Sequence, residues 1–126
     1  MQRGEVWRVV LPTVGQGREQ GGERPVVVIQ DAVYGAGSPL ALVVPLTSQL
    51  AVLRFPGTVE ITPTAANGLV MASVAMVFQA RALDRTRFVT RHGQVEEEVL
   101  EAILDALENL VGRNRSRSRS DIVSEA

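Results

Sequence analysis

At 126 residues the chain suffices for one domain with a modest core; lacking cysteine, it excludes disulfides, thiolate metal ligands and a cysteine nucleophile. Hydrophobic residues make up 45% and charged residues 21%, as in an ordinary soluble domain, no apolar run approaches membrane-spanning length, and without cysteine the simplest expected address is a reducing cytoplasm, away from membranes. The net charge of −1 hides an asymmetry: residues 1–94 carry nine Arg against six acidic residues, residues 95–126 four against eight, and none of the basic residues is Lys; a guanidinium fork suits phosphate, a compositional bias explains the missing lysine equally well, and the basic body is compatible with an anionic partner without requiring one.

Glu5 to Leu11 alternates around Trp7 and predicts a first strand that Pro12 ends. A loop follows with glycines at 15, 17, 21 and 22 and with Glu19, Glu23 and Arg24. Pro25 biases Arg24 towards extended backbone, so a strand is expected over residues 24–30, its β-branched run Val26 to Ile29 buried. Taken alone, the loop reads either as a charged surface turn or as a functional loop hinged on a rigid strand. Residues 31–39 read as a loop. Residues 40–44 predict a third apolar strand running into Pro45-Leu46-Thr47-Ser48, and residues 58–62 a short fourth after the Pro56-Gly57 turn. Thr64 to Gly68 is a turn, Leu69 to Leu83 holds one or two strands around Ser73, Asp84 to Arg87 a short helical turn, and residues 88–91 are extended up to His92-Gly93.

The last element changes period. Val99, Ile103, Ala106 and Leu110 share one face, widened by Leu100, Leu104, Leu107 and Val111. Glu96, Glu97 and Glu98 stand in the first turn, where the helix dipole favours negative charge, and Gly112 supplies the stop. Residues 113–126 form an Arg/Ser-rich tail of low hydrophobicity, expected to be flexible and outside the folded domain of residues 1–112. Short strands followed by one helix predict a mainly β fold: a small, strongly bent sheet or barrel with the helix packed alongside. Continuous apolar strands in so short a chain also favour a dimer.

Elimination narrows the chemistry. One histidine, His92, rules out a two-histidine acid–base pair within the chain; before a glycine it reads as a turn residue and takes no role. No metal-ligand spacing is present, so no metal or cofactor is expected. A Walker motif needs a lysine, and Gly15-Gln16-Gly17 does not continue into a dinucleotide fingerprint. Carboxylate, guanidinium and hydroxyl remain. Glu19 can accept a proton, Arg24 can stabilise an anionic phosphorane, and Thr47 and Ser48 can donate to phosphate oxygens. That set suits attack by an RNA 2′-hydroxyl on its own adjacent phosphate, because the nucleophile belongs to the substrate. Charge stabilisation suits Arg24 better than proton donation.

With these residues in view, the chain resembles the MazF/PemK family of toxin ribonucleases from bacterial toxin–antitoxin systems. Arg3-Gly4-Glu5-Val6-Trp7, residues 17–30, Pro45-Leu46-Thr47-Ser48, Ser73-Val74, Gln79-Ala80-Arg81 and Leu83-Asp84 carry the resemblance, over about residues 2–111. It implies an SH3-like small β-barrel with a C-terminal helix, a homodimer, and metal-free, sequence-specific cleavage of single-stranded RNA leaving 2′,3′-cyclic phosphate and 5′-hydroxyl ends. It implies Arg24 as catalytic arginine, Thr47 as its partner and Glu19 as a proposed base. Ser48, Ser73, Gln79 and Arg81 fall where the family contacts RNA or supports the site; a buried backbone bond for Ser73, a plain strand position for Gln79 and an ion pair for Arg81 are the alternatives. A cognate antitoxin is the implied protein partner, with DNA reached only through the antitoxin complex. Glu23 beside Arg24, and Ala82 in place of a hydroxyl residue, depart from the family pattern. A non-catalytic binder on the same fold, of the gyrase-poison kind, and a degenerate toxin are the competing readings.

Overall fold

The computed structural model describes residues 1–12 and 22–113. Among these, seven strands run β1 (Glu5–Leu11), β2 (Gly22–Val28), β3 (Leu40–Thr47), β4 (Thr58–Ile61), β5 (Ser73–Met76), β6 (Arg81–Asp84) and β7 (Phe88–Gln94). Two α-helices, α1 (Ala32–Gly35) and α2 (Glu97–Leu110), join them. Three short 3-10 turns cover Leu50–Arg54, Val77–Gln79 and Arg85–Arg87. All strand pairs are antiparallel, in the order β4-β5-β3-β2-β1-β7, with β6 also on β3.

The bend in the sheet comes from β3. Along one edge it pairs β2, Val28 opposite Val43 and Val26 opposite Pro45. Along the other it pairs β6 from Leu40 to Val43 and then β5 at Leu46 and Thr47. Pro45 stands where one partner gives way to the next; it has no N–H to donate, so a ladder bond is missing where the strand changes neighbours. The fold is mainly β with a C-terminal helix, as expected. The ladder is barrel-like but open: β4 and β7 end the path and do not pair with each other.

The alternation of β2 divides the interior. Val27 and Ile29 join Val6, Val44, Leu46, Ile61, Ala75, Val77, Val95 and Ile103 in the larger core, against which Val99, Leu100, Leu104, Ala106 and Leu107 of α2 pack. Val26 and Val28 join Val9, Leu11, Val43 and Leu83 in a second, smaller core flanked by Trp7 and Phe88, whose rings meet edge to face at 5.7 Å. The helix stripe read from the sequence is therefore the face that meets the sheet, except at its end, where Leu110 and Val111 are exposed. Glu96 is the N-cap, and the Gly112 N–H donates to the Asn109 carbonyl beyond the last turn.

Several boundaries differ from expectation. β2 starts at Gly22, before the Arg-Pro step, because residues 22–24 pair with β1 (Val9 opposite Arg24, Leu11 opposite Gly22). It ends at Val28, yet Gln30 prolongs the ladder with its side chain: Oε1 accepts from the Leu42 N–H at 2.9 Å and Nε2 donates to the Leu40 carbonyl at 3.3 Å. The 31–39 loop contains α1, whose Asp31 cap accepts from the Val33 N–H at 2.8 Å. The motif around Trp7 is structural: Glu5, 9% exposed, accepts from Trp7 Nε1 at 2.8 Å and faces Arg91 Nε at 3.6 Å, joining β1 to β7. The expected flexible tail lies, apart from Arg113, outside the described residues.

Candidate active site

Antiparallel register brings Arg24 and Thr47 near each other. Val26 faces Pro45 across β2 and β3; carried two residues further, that register sets Arg24 across from Thr47, at the ends where the two strands part. A cleft of about 230 Å³ opens there, lined by Arg8, Glu23, Arg24, Pro25, Leu46, Thr47, Ser48, residues 68–71, Ser73 and His92. That is below the ~300–1,000 Å³ of pockets that enclose a drug-sized ligand, and suits one segment of a longer chain.

The polar groups of the cleft are in unequal states. Arg24 Nε is buried and has no hydrogen-bond partner among the described residues, a costly condition for a charged donor. Thr47 is 5% exposed, and its Oγ1 accepts from the Gln49 N–H at 3.2 Å. That bond fixes the oxygen and leaves the hydroxyl proton to be donated elsewhere. Ser48 is exposed at the rim. Ser73 is 4% exposed, and its hydroxyl donates to the Met71 carbonyl at 3.0 Å; the backbone bond named as its alternative role is the one it makes, and it ties down the wall formed by residues 68–71.

That wall is anchored from behind by Asn67, which is fully buried. Its Oδ1 accepts from the Thr64 and Leu69 N–H groups, both at 3.0 Å, and its Nδ2 donates to the Thr62 carbonyl at 2.9 Å and reaches Glu96 Oε1 at 3.5 Å. Thr64 Oγ1 donates to Glu96 Oε2 at 2.7 Å. The Thr64 hydroxyl, with help from the Glu96 backbone N–H, holds the Glu96 carboxyl below the ordinary glutamate range.

Of the residues expected to act, Arg24, Thr47, Ser48 and Ser73 share the cleft. Gln79, in the 3-10 turn after β5, and Arg81, opposite Val43 on β6, are not among its lining residues. Glu19 lies outside the described residues. Among the lining residues that had no assigned role are Arg8 and His92. His92 is in no turn. Val6 pairs with Gly93 and Trp7 with Arg91, so His92 is the extra residue of a β-bulge in β7, a device that re-aims a side chain. The available signal was Gly93: an isolated glycine in a strand pattern marks a bulge or a close backbone approach. Among the described residues no group of three His, Asp or Glu is placed to hold a metal ion, and no helix is long and apolar enough to cross a membrane.

Comparison with known proteins agrees with this architecture. Endoribonuclease EndoA of Bacillus subtilis is 34% identical over 109 residues, which cover 86% of this chain and 91% of that protein. The crystal structure of MazF from Deinococcus radiodurans superposes with a TM-score of 0.71 at 29% identity, over 89% of this chain and 96% of that one. A structure of MazE-MazF from the same organism superposes at 0.67 and 28% identity, again over 89% of this chain and 96% of the other. The family model of PemK-like, MazF-like toxins matches residues 2–111. The chain belongs to the PemK-like, MazF-like toxins of type II toxin–antitoxin systems.

Proposed function

We propose that this toxin is an endoribonuclease that cleaves single-stranded RNA at a short sequence motif, without a metal ion, by attack of a 2′-hydroxyl on the adjacent phosphate. The observation that carries the reading is the cleft itself, where an arginine donor and a threonine hydroxyl proton stand together with no partner among the described residues. A phosphodiester seated there supplies acceptors that neither group finds among the described residues. Glu19 takes the 2′-hydroxyl proton. The 2′-oxygen bonds to phosphorus, and Arg24 offsets the added charge of the phosphorane while Thr47 donates to a non-bridging oxygen. The bond to the 5′-oxygen breaks, that oxygen gains a proton from solvent, and a 2′,3′-cyclic phosphate and a 5′-hydroxyl result. Ser48 and Ser73 in the lining, with Gln79 and Arg81 outside it, are read as contacting flanking nucleotides or supporting the site.

The same reading includes a homodimer, a cognate antitoxin that neutralises the toxin by covering the RNA cleft, DNA met only through that complex, and a cytoplasmic location. Family membership supports the antitoxin. The exposed apolar residues Leu50, Phe55, Val70 and Phe78 supply surface that a partner chain would cover.

The test is incubation of the purified chain with a long, diverse single-stranded RNA in excess EDTA, mapping cut sites and end chemistry. Cuts at one short motif, with cyclic-phosphate and 5′-hydroxyl ends, are expected. Dependence on added metal, or 5′-phosphate ends, would refute the mechanism; no cleavage at all would favour a non-catalytic toxin.

A further inference from the structure

One residue with an aromatic ring lines the cleft, and it is held in place by its backbone. His92 is the bulged residue of β7 and is partly buried. Trp7 and Phe88 are taken up by the smaller core, Phe55 and Phe78 pack on each other at 6.4 Å, and Tyr34 is 89% exposed on α1. None of these five lines the cleft with Arg24 and Thr47; His92 does.

Two glycines fix the bulge. A Cβ on Gly68, whose φ is +70°, would stand 2.2 Å from the His92 carbonyl oxygen and 3.1 Å from the His92 Cβ. A Cβ on Gly93 would stand 2.2 Å from the Ala66 carbonyl oxygen. The 64–68 turn and β7 thus meet backbone to backbone at His92, and the Gln94 N–H donates to the Ala66 carbonyl at 2.9 Å. The backbone that carries the ring is therefore fixed before any ligand arrives.

Single-stranded RNA is read through unstacked bases laid on aromatic side chains, histidine among them. We propose that His92 is a specificity-determining residue: its imidazole is the platform on which a nucleobase flanking the scissile phosphate stacks, while Arg24 and Thr47 hold that phosphate. This rests on the ribonuclease reading above and adds to it the residue that contacts a base.

The experiment compares the full-length wild type with His92→Ala, His92→Leu and His92→Phe, each checked by circular dichroism. Cleavage is measured on short RNAs carrying the mapped motif and all single-base changes around the cut. Binding is measured on the same RNA with a 2′-deoxy nucleotide at the cut, which cannot react. The Ala and Leu variants should lose about 10- to 100-fold in kcat/KM and in affinity, the range of one base–aromatic stack, and should become indifferent to the base at one position. His92→Phe, which keeps a ring, should stay within about threefold of wild type. Leu fills the volume without a ring, so a Leu variant equal to wild type overturns the proposal even if the Ala variant misfolds. A Phe variant as impaired as Leu overturns it too. A wild type that neither cuts nor binds any RNA overturns the ribonuclease reading itself, a result distinct from an active wild type whose His92 variants are unchanged.

Discussion

Arg24 brings to the cleft a buried Nε donor that no described residue satisfies. Its backbone is paired with Val9 of β1, and it stands just beyond the last β2–β3 pair, Val26 with Pro45, so the strand that carries the charge is fixed in advance. Arg8 also lines the cleft, but it pairs with Pro25 on the next rung. A preorganised charge aimed at a developing anion is commonly worth ~10²–10³ in rate per donor, and more where the donor is ionised. Arg24→Ala should therefore reduce RNA cleavage to background while leaving the thermal midpoint nearly unchanged, since it also removes a buried donor with no partner among the described residues. Arg24→Lys should recover little, because an ammonium cannot reproduce the planar fork. Thr47→Ala should cost about 10²-fold and Thr47→Ser much less, since serine keeps the hydroxyl that accepts from Gln49. Single-turnover cleavage of a defined RNA measures all four. A folded Arg24→Ala protein cutting at more than a few per cent of the wild-type rate would remove Arg24 from the chemistry.

Between residue and fold stands the turn from Thr64 to Gly68, which carries the cleft wall on its C-terminal side. Asn67 satisfies two backbone N–H groups and one carbonyl there from a fully buried position. Asn67→Ala would orphan them, at about 1–3 kcal/mol for each buried group left unpaired. A loss of at least ~2 kcal/mol is expected, read as a fall of roughly 5–15 °C in the thermal midpoint by circular dichroism. An unchanged midpoint would mean that the turn does not depend on this side chain. The Thr64–Glu96 bond adds a pH dependence whose sign follows from the depressed Glu96 carboxyl. A carboxylate held lower in the folded state stabilises it above the ordinary glutamate range, and that support is lost as pH falls through the lower native value. Asn67 and Glu96 were invisible as a pair in the sequence, because 29 residues separate them. The neighbouring elements were legible for identifiable reasons: α2 by its 3.6-residue apolar stripe, β1 and β2 by alternation and β-branching, Arg24 by the Arg-Pro step. His92 was not, because a bulge leaves no period and His-Gly also marks a turn. The Leu50–Arg54 3-10 turn, with no capping side chain, announced itself in no pattern. Ser73 was read with two roles: it makes the buried backbone bond, to Met71, and it also lines the cleft.

At the scale of the molecule, the question is how a chain of net charge −1 attracts RNA. The acidic residues are concentrated after residue 94 and the arginines before it, so attraction is a matter of where charge lies and not of its sum. Arg8 and Arg24 meet in one cleft with Glu23 beside them. Each phosphate neutralised by an arginine releases condensed counterions, and for single strands the logarithm of the binding constant falls by about 0.7 per contact for each decade of salt. The binding constant of the uncleavable 2′-deoxy RNA should therefore fall linearly on a log–log plot against salt. Arg8→Ala should make that slope shallower by about 0.7, and Glu23→Gln should raise affinity at low salt by removing a like charge from the path of the phosphates. His92→Ala should lower affinity by the same factor at every salt concentration, because stacking moves no counterion. Fluorescence anisotropy from about 50 to 300 mM salt separates the two behaviours. An Arg8→Ala slope equal to wild type would mean that the arginine touches no phosphate, and that the basic body of residues 1–94 steers RNA towards the cleft without binding it there.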